Sequence, residues 1–482
     1  MKPILLIHGY SSEGKNEKVE DIYGSLPAEL RRTFGAANVR DLNLSRWISL
    51  NDGVSVDDVS LAMDRALKAR FPKLLSSGFH VIIHSTGALV VRNWIKNYNP
   101  EPALCPIENL VHLAGAHFGS GLAHVGKGQL TRWARLLALH TGSGVQVLNE
   151  LLFGSWKSLD LARHFLAPGK DMFNDYQVQE FCIIGSQIPK LLRAIPIRYI
   201  KEDSSDNTVR TSAGNLNFNY VSVTPKPSAF TLSLRKLNAL VDQRLGGVRI
   251  DETNYDIDLK NVSSRRRQVP FAIAYETAHF GSDIGIVSGS RNRKAVMPLI
   301  KIALLTPYDA DAYQQAAQKF ENARLNTFRR AGNLSRRILE WNVQAQYEGH
   351  AQLIFRIRDQ FGNGVEHYDI TFRSRGGSNR LRLESLIEDR RGNKNYKGTM
   401  TFYLRTQKFA RKRWRELLEN LQPLDVEITG SEPLSSDINY VPLKISLTSK
   451  QVASVLKSFQ TTIIDIQLAR LPSQNVFKVT RG

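Results

Sequence analysis

The stretch His80-Val-Ile-Ile-His-Ser-Thr-Gly87 places Ser85 directly after an apolar run and directly before Ala88-Leu-Val-Val-Arg-Asn-Trp-Ile95, a sequence that favours a helix. A hydroxyl on such a strand-to-helix turn projects above a sheet, and the helix N-terminus beneath it favours developing negative charge, as a nucleophile requires. The same position also suits a plain helix N-cap. His8-Gly9-Tyr10 ends the first apolar run of the chain. Its glycine lets the backbone turn, so that the amides of Tyr10 and of Thr86, the residue after the serine, form a candidate oxyanion hole.

A serine hydroxyl is a weak nucleophile at neutral pH and needs a base, which in turn needs an orienting acid. In the chain order serine, acid, histidine, the loop Glu202-Asp-Ser-Ser-Asp-Asn-Thr-Val-Arg210 offers two aspartates. Asp206 is preferred because it leads directly into Thr208-Val209, with Asp203 as the reserve. His279 follows the apolar run Phe271–Tyr275 and precedes Gly281, which lets its loop pass close to Ser85. His84 is fixed beside the nucleophile, and His117 has no acid after it in the expected order.

These residues need a scaffold. Pro3–Ile7, Phe79–Ile83, Leu110–Ala114 and Phe181–Ile184 are short continuous apolar runs, the pattern of strands buried on both faces. Val56–Leu75 and Ala88–Asn97 have helical spacing between them, so an α/β domain with a mostly parallel sheet is expected over 1–305. Residues 119–176 break the rhythm with Leu130–Leu139 and Val145–Leu152, read as a helical cap over the sheet. After a connecting helix at Asp311–Ala331, alternating segments (Ala351–Ile357, Glu366–Phe372, Thr399–Leu404, Leu443–Leu447) separated by Gly-Asn turns predict a β-rich, sandwich-like domain over 306–482.

With these residues in view, the chain resembles the α/β-hydrolase superfamily, in its lipase and esterase group. The resemblance rests on His8-Gly9-Tyr10, the elbow His84-Ser-Thr-Gly87, Leu113-Ala-Gly-Ala-His-Phe-Gly-Ser120, the acid loop Ser205-Asp-Asn-Thr-Val-Arg210, and His279. It implies a serine hydrolase of lipid esters, a lipase, carboxylesterase or phospholipase, that uses a Ser85-His279-Asp206 triad, an acyl-enzyme and no cofactor. One departure stands out: the family's elbow has glycine two residues before the serine, where this chain has Ile83, and a β-branched side chain there is expected to crowd the turn. The rival readings are a lipid-binding or interaction module on a hydrolase scaffold, favoured by that crowding, and an acyltransferase, which uses the same triad.

Composition narrows the rest. With 482 residues, 42% hydrophobic and 23% charged, the chain is long enough for two cores and too apolar for global disorder. Two cysteines, Cys105 and Cys182, form no disulfide framework or CxxC pair, and His80 and His84 lie about 13 Å apart if the segment is a strand, so no metal site is expected. Gly121–Lys127 imitates a phosphate-binding loop but continues with Gly128 instead of serine or threonine. The four-residue apolar run after Lys2 is too short for a signal peptide, which suggests a cytoplasmic protein or one exported without a cleaved signal. A net charge of +20 favours an anionic partner. The densest basic cluster, Lys408-Phe-Ala-Arg-Lys-Arg-Trp-Arg415, has helical apolar spacing and reads either as a solvated face whose aromatics pack on the sandwich or as a basic helix resting on an anionic membrane surface. Nucleic acid is disfavoured, as no RNP-like signature or zinc finger accompanies the charge. Oligomeric state is not legible.

Overall fold

The computed structural model describes residues 1–8, 18–49, 51–121, 144–188, 202–233, 235–237, 239–240, 254–259, 267–334, 344–377, 380–473 and 476. They form two compact units. The first comprises Met1–Asn217, Arg266–Gly349 and Phe409–Trp414, and the second Phe218–Arg265, His350–Lys408 and Arg415–Gly482. A single cut at 305/306 is therefore not how the chain divides. The helix after 305 packs in the first unit, while two strands from before it, Asn219–Pro225 and Tyr255–Asp258, extend a sheet of the second.

In the first unit, strands β1 (Ile4–His8), β2 (Val39–Asn43), β3 (Phe79–His84), β4 (Ile107–Leu113) and β5 (Gln179–Ile184) are followed in the chain by the second unit's β6 (Asn219–Pro225) and β7 (Tyr255–Asp258). The chain then returns with β8 (Phe271–Ile273) to complete a six-stranded sheet in the order β2-β1-β3-β4-β5-β8. Every neighbouring pair is parallel. The apolar runs form these strands because helices on the sheet's faces exclude water from them: Leu5, Ile82, Leu110 and Phe181 are fully buried. Register aligns His84 with Leu113, Leu113 with Ile183, and Ile184 with Ile273, so the loops after β3, β4, β5 and β8 leave from one edge.

The expected helix at Val56–Leu75 is two, Val56–Arg70 and Pro72–Ser77, because Pro72 cannot continue the hydrogen-bond ladder of the first. Ser55 and Asp58 close a reciprocal cap at the first helix's start. Of the expected cap, Leu130–Leu139 lies outside the described residues, whereas Val145–Glu150 and Trp156–His164 are helical. Helix Trp156–His164 flanks helix Gly87–Tyr98, with Lys157 paired to Asp57 at 2.7 Å and the Arg92 guanidinium 4.7 Å over the Phe165 ring. Helix Ala310–Gly332, capped by Asp309, runs along the far side of the sheet. Near its start the Tyr313 hydroxyl donates to the carbonyl of Glu180 at 2.7 Å, and near its end Thr327 donates to the carbonyl of Ile273 at 2.7 Å. It therefore ends at the same edge from which the β3 and β8 loops depart.

The second unit is the β-rich part. One sheet has the order β11 (Ile387–Gly392), β12 (Thr399–Arg405), β9 (His350–Asp359), β18 (Thr461–Leu468), β6, β7. The other contains β10 (His367–Ser374), β15 (Leu424–Ser431), β16 (Ile438–Tyr440) and β19 (Arg470–Pro472), with β17 (Leu443–Leu447) also on β15. Alternate residues of both sheets, among them Leu353, Phe355, Phe402, Val426, Ile428 and Ile445, share one core, as sandwich packing requires.

The expected basic helix at Lys408–Arg415 is instead a hairpin, β13 (Gln407–Ala410) and β14 (Arg413–Glu416), turning through Arg411 and Lys412 at φ of 51° and 60°. Packing overrides the helical spacing. Phe409 and Trp414 pack against each other with their rings tilted at 57° and centroids 4.8 Å apart, and the Trp414 indole N–H donates to the carbonyl of Phe328 at 3.0 Å.

Candidate active site

β3 ends at His84, and Ser85 takes a φ of 54°, the left-handed conformation that a sharp strand-to-helix elbow imposes. The elbow is tied down from both sides. The Ser85 amide donates to the carbonyl of Leu113 at 3.1 Å, and the Ala116 amide donates back to the carbonyl of Ser85 at 3.4 Å. Helix Gly87–Tyr98 starts at once and buries Leu89, Val91, Trp94 and Ile95 against the unit's core. Ile83 fits the turn despite its branched Cβ. It faces Gly87, where even an added Cβ would stand 3.4 Å from the Cβ of Ile83, an ordinary contact distance, so the branched side chain leaves the elbow room.

The acid comes from a loop held in shape by its own backbone. Ser204 and Asn207 have φ of 53° and 79°, bracketing Asp206 in a tight turn. One carboxylate oxygen of Asp206, Oδ1, accepts the amides of Thr208 at 3.1 Å and Val209 at 2.8 Å. The other, Oδ2, lies 2.8 Å from His279 Nδ1. Asp203, the reserve, is directed elsewhere and accepts from Gln346 Nε2 at 3.2 Å.

His279 arrives from β8 on a loop pressed against the end of β5. A Cβ at Gly185 would lie 2.1 Å from the carbonyl oxygen of Thr277, so only glycine permits this approach. The His279 amide donates to the main-chain carbonyl of Asp206 at 3.0 Å, which locks the two loops together independently of the side chains. Its imidazole Nε2 is 3.0 Å from Ser85 Oγ. Ser85, His279 and Asp206, brought from three loops, thus form one continuous hydrogen-bonded chain, with Asp206 fully buried, His279 buried and Ser85 half-buried.

Of the two candidate oxyanion donors, Tyr10 lies outside the described residues. Thr86 precedes helix Gly87–Tyr98 with φ −55° and ψ −29°. Its amide lies ahead of the helix's first hydrogen bonds, in which Ala88 donates to the carbonyl of Ser85 at 3.1 Å and Leu89 to that of Thr86 at 3.0 Å, and an amide at a helix start favours an anion.

Two further groups shape the site, neither of which was given a role from the sequence. The His84 ring packs 4.6 Å from that of His279, and burial first, then the neighbouring imidazole, pushes its pKa well below the ordinary histidine range. Arg210 is buried at the end of the acid loop, bonded to Glu202 through Nε at 3.0 Å and Nη2 at 2.5 Å, with its guanidinium 4.2 Å over the Phe153 ring. Its signal in the sequence was an arginine four residues after the acid; nothing there identified Glu202 as its partner. His117 lies below the site. Its Nε2 is 3.9 Å from Cys182 Sγ, and its ring packs on His112, which bonds Glu180 at 3.1 Å. Both cysteines are free, and burial drives the Cys105 thiol up to about 12. Among the described residues no group of three or more His, Cys, Asp or Glu side chains is arranged to hold a metal ion, and no helix is long and apolar enough to cross a membrane.

The family model for palmitoyl protein thioesterase matches residues 3–156, from β1 past the elbow and β4 to the start of helix Trp156–His164. No curated protein matches the sequence. Among solved structures, phospholipase PlaB from Legionella pneumophila is similar over 100% of this chain and 97% of its own, with a TM-score of 0.76 at 22% identity. The same phospholipase in complex with thio-NAD is similar over 100% and 97%, with a TM-score of 0.77 at 21% identity. The likeness therefore extends beyond the parallel sheet into the β-rich unit.

Proposed function

We propose that this chain, an α/β-hydrolase, is a serine hydrolase of lipid esters, with phospholipid as its substrate class. In this reading Ser85 Oγ attacks the acyl carbonyl while His279 Nε2 takes the hydroxyl proton. Asp206 Oδ2, fixed by the bond to Nδ1, holds the tautomer that leaves Nε2 free to accept. The amides of Thr86 and Tyr10 stabilise the oxyanion of the tetrahedral intermediate. Collapse breaks the ester C–O bond, the proton on His279 passes to the departing alcohol oxygen, and the acyl group remains on Ser85. Water then attacks the acyl-enzyme with His279 again as base, releasing the fatty acid and restoring the hydroxyl.

The observation that carries this reading is the unbroken pair of hydrogen bonds, 3.0 Å from Ser85 to His279 and 2.8 Å from His279 to Asp206. No metal or redox group is asked to take part. Phospholipid is chosen because the structure similar over the whole chain is a phospholipase, and the thioesterase model match supports long acyl chains. An anionic membrane surface is the proposed setting.

The experiment is a series of esters of increasing acyl length together with phosphatidylcholine and phosphatidylglycerol, assayed with the full chain and with Ser85→Ala. Release of fatty acid from phospholipid that disappears in the variant supports the proposal. Turnover of short soluble esters alone refutes the phospholipid assignment, and equal turnover by Ser85→Ala refutes the mechanism.

A further inference from the structure

The hairpin Gln407–Glu416 carries a feature that the chemistry above leaves unused. Its aromatic side chains, Phe409 and Trp414, face inward against the end of helix Ala310–Gly332: a Cβ at Gly332 would meet Phe409 at 3.3 Å and the Trp414 indole nitrogen at 3.5 Å. The Phe409 amide donates to Glu348 Oε1 at 3.0 Å, and Trp414 packs on Phe328 with centroids 5.6 Å apart. The anchored turn therefore projects its charges outward, and Lys408, Arg411, Lys412, Arg413 and Arg415 are all exposed. Among the described residues none of these five cations has a carboxylate partner.

Location gives this charge a purpose. Helix Ala310–Gly332 bonds to the end of β8 through Thr327, and three residues on, Arg330 lies 3.9 Å over the ring of Tyr275, in the segment that leads to His279. The hairpin is thus fastened at the edge of the sheet where Ser85 and His279 stand. Of the carboxylates on these segments, Glu276 and Asp283 both face Arg291, at 3.9 and 3.3 Å, Glu348 accepts the hairpin amide, and the hairpin's own Glu416 accepts from Ser458 at 2.8 Å. A dense, unneutralised positive tip beside an ester-cleaving centre matches an anionic layer of phospholipid head groups.

We infer that the Arg411-Lys412-Arg413 tip docks the protein on an anionic phospholipid surface with its catalytic edge toward the lipid. Docking is by charge at head-group level, because the aromatic residues that could insert are instead used to hold the hairpin on its helix. The inference rests on the lipid-ester reading for its purpose but is tested apart from it. Flotation with vesicles of phosphatidylcholine alone, and of equimolar phosphatidylcholine and phosphatidylglycerol, is measured in a full-length Ser85→Ala background so that no lipid is consumed.

The expected result is binding to the mixed vesicles only, lost at high salt, and weakened on the order of a hundredfold when Arg411→Gln, Lys412→Gln and Arg413→Gln are combined. The thermal midpoint of that variant should match its parent, which separates lost docking from lost folding. Equal binding by the triple variant, equal binding to phosphatidylcholine alone, or tighter binding of duplex DNA through the same three residues overturns the inference. A protein that floats as expected yet leaves phospholipid uncleaved in its wild-type form refutes the hydrolase reading alone. One that cleaves detergent-dispersed phospholipid but ignores anionic vesicles refutes the docking surface alone.

Discussion

Replacing Asp206 with asparagine changes one atom, and the geometry dictates its consequence. Oδ1 accepts two backbone amides, from Thr208 at 3.1 Å and Val209 at 2.8 Å, while Oδ2 faces a single ring nitrogen, His279 Nδ1, at 2.8 Å. The asparagine must point either its oxygen or its NH2 group at the two amides. Pointing NH2 there opposes donor to donor twice in a fully buried site, costing about 1–3 kcal/mol for each unsatisfied group. The oxygen therefore stays on the amides and NH2 faces Nδ1, which forces the imidazole to carry its proton on Nε2, toward Ser85. In that tautomer His279 cannot accept the hydroxyl proton. The expected loss is about 10⁴-fold in kcat, or about 5.5 kcal/mol of barrier, with KM little changed and the fold intact. Initial rates on a soluble ester measure it. Asp206→Ala should in addition lower stability by about 2 kcal/mol, since both amides then lose their acceptor. Activity of Asp206→Asn within tenfold of wild type would refute this tautomer argument, as would a larger effect from Asp203→Asn.

Arg210→Met keeps most of the side-chain volume but leaves the Glu202 carboxylate without its bidentate partner, so denaturant unfolding should show a loss of about 3–5 kcal/mol; an unchanged midpoint would mean the pair is idle. Ile83→Gly restores the family's elbow pattern, yet it empties a fully buried site, so stability should fall by about 3–5 kcal/mol with no gain in kcat. A more active and equally stable variant would show that Ile83 does crowd the turn. Burial pushes the pKa of His80 down to about 4 and lowers those of His84, His112 and His117. The unfolded chain takes up these protons near pH 6.5 and the folded chain only at lower pH, so their contribution is fully present above about 6.5 and declines as pH falls from there toward 4. For His80 alone the decline approaches about 3 kcal/mol, and urea midpoints that stay constant from pH 7.5 to 5 would contradict it.

The first unit's sheet was legible where burial is two-sided. β1, β3, β4 and β5 announce themselves as continuous apolar runs, whereas edge strand β2, Val-Arg-Asp-Leu-Asn, alternates too little to register. Ser85, Asp206 and His279 were singled out by the turn chemistry around them, Asp206 ahead of Asp203 because it leads directly into Thr208-Val209; the structure brings the three within hydrogen-bond distance, and the Asp206 bonds to the Thr208 and Val209 amides emerged only there. Domain division was not legible. β6 joins the second unit by pairing with β18, which lies more than two hundred residues downstream, and β7 joins it through β6; no local pattern encodes the β18 partner. The basic hairpin was misread for a related reason. Its turn contains neither glycine nor asparagine, and Arg411 and Lys412 adopt left-handed φ only because Phe409 and Trp414 are anchored on a distant helix, an energy that outweighs the roughly 1–2 kcal/mol cost per residue.

The most direct test of the central claim is site mapping of a fluorophosphonate adduct by mass spectrometry on the full chain. The expected result is a single adduct on Ser85, abolished in Ser85→Ala and formed far more slowly in Asp206→Asn. An adduct on a different residue, or undiminished labelling of Ser85→Ala, would contradict it.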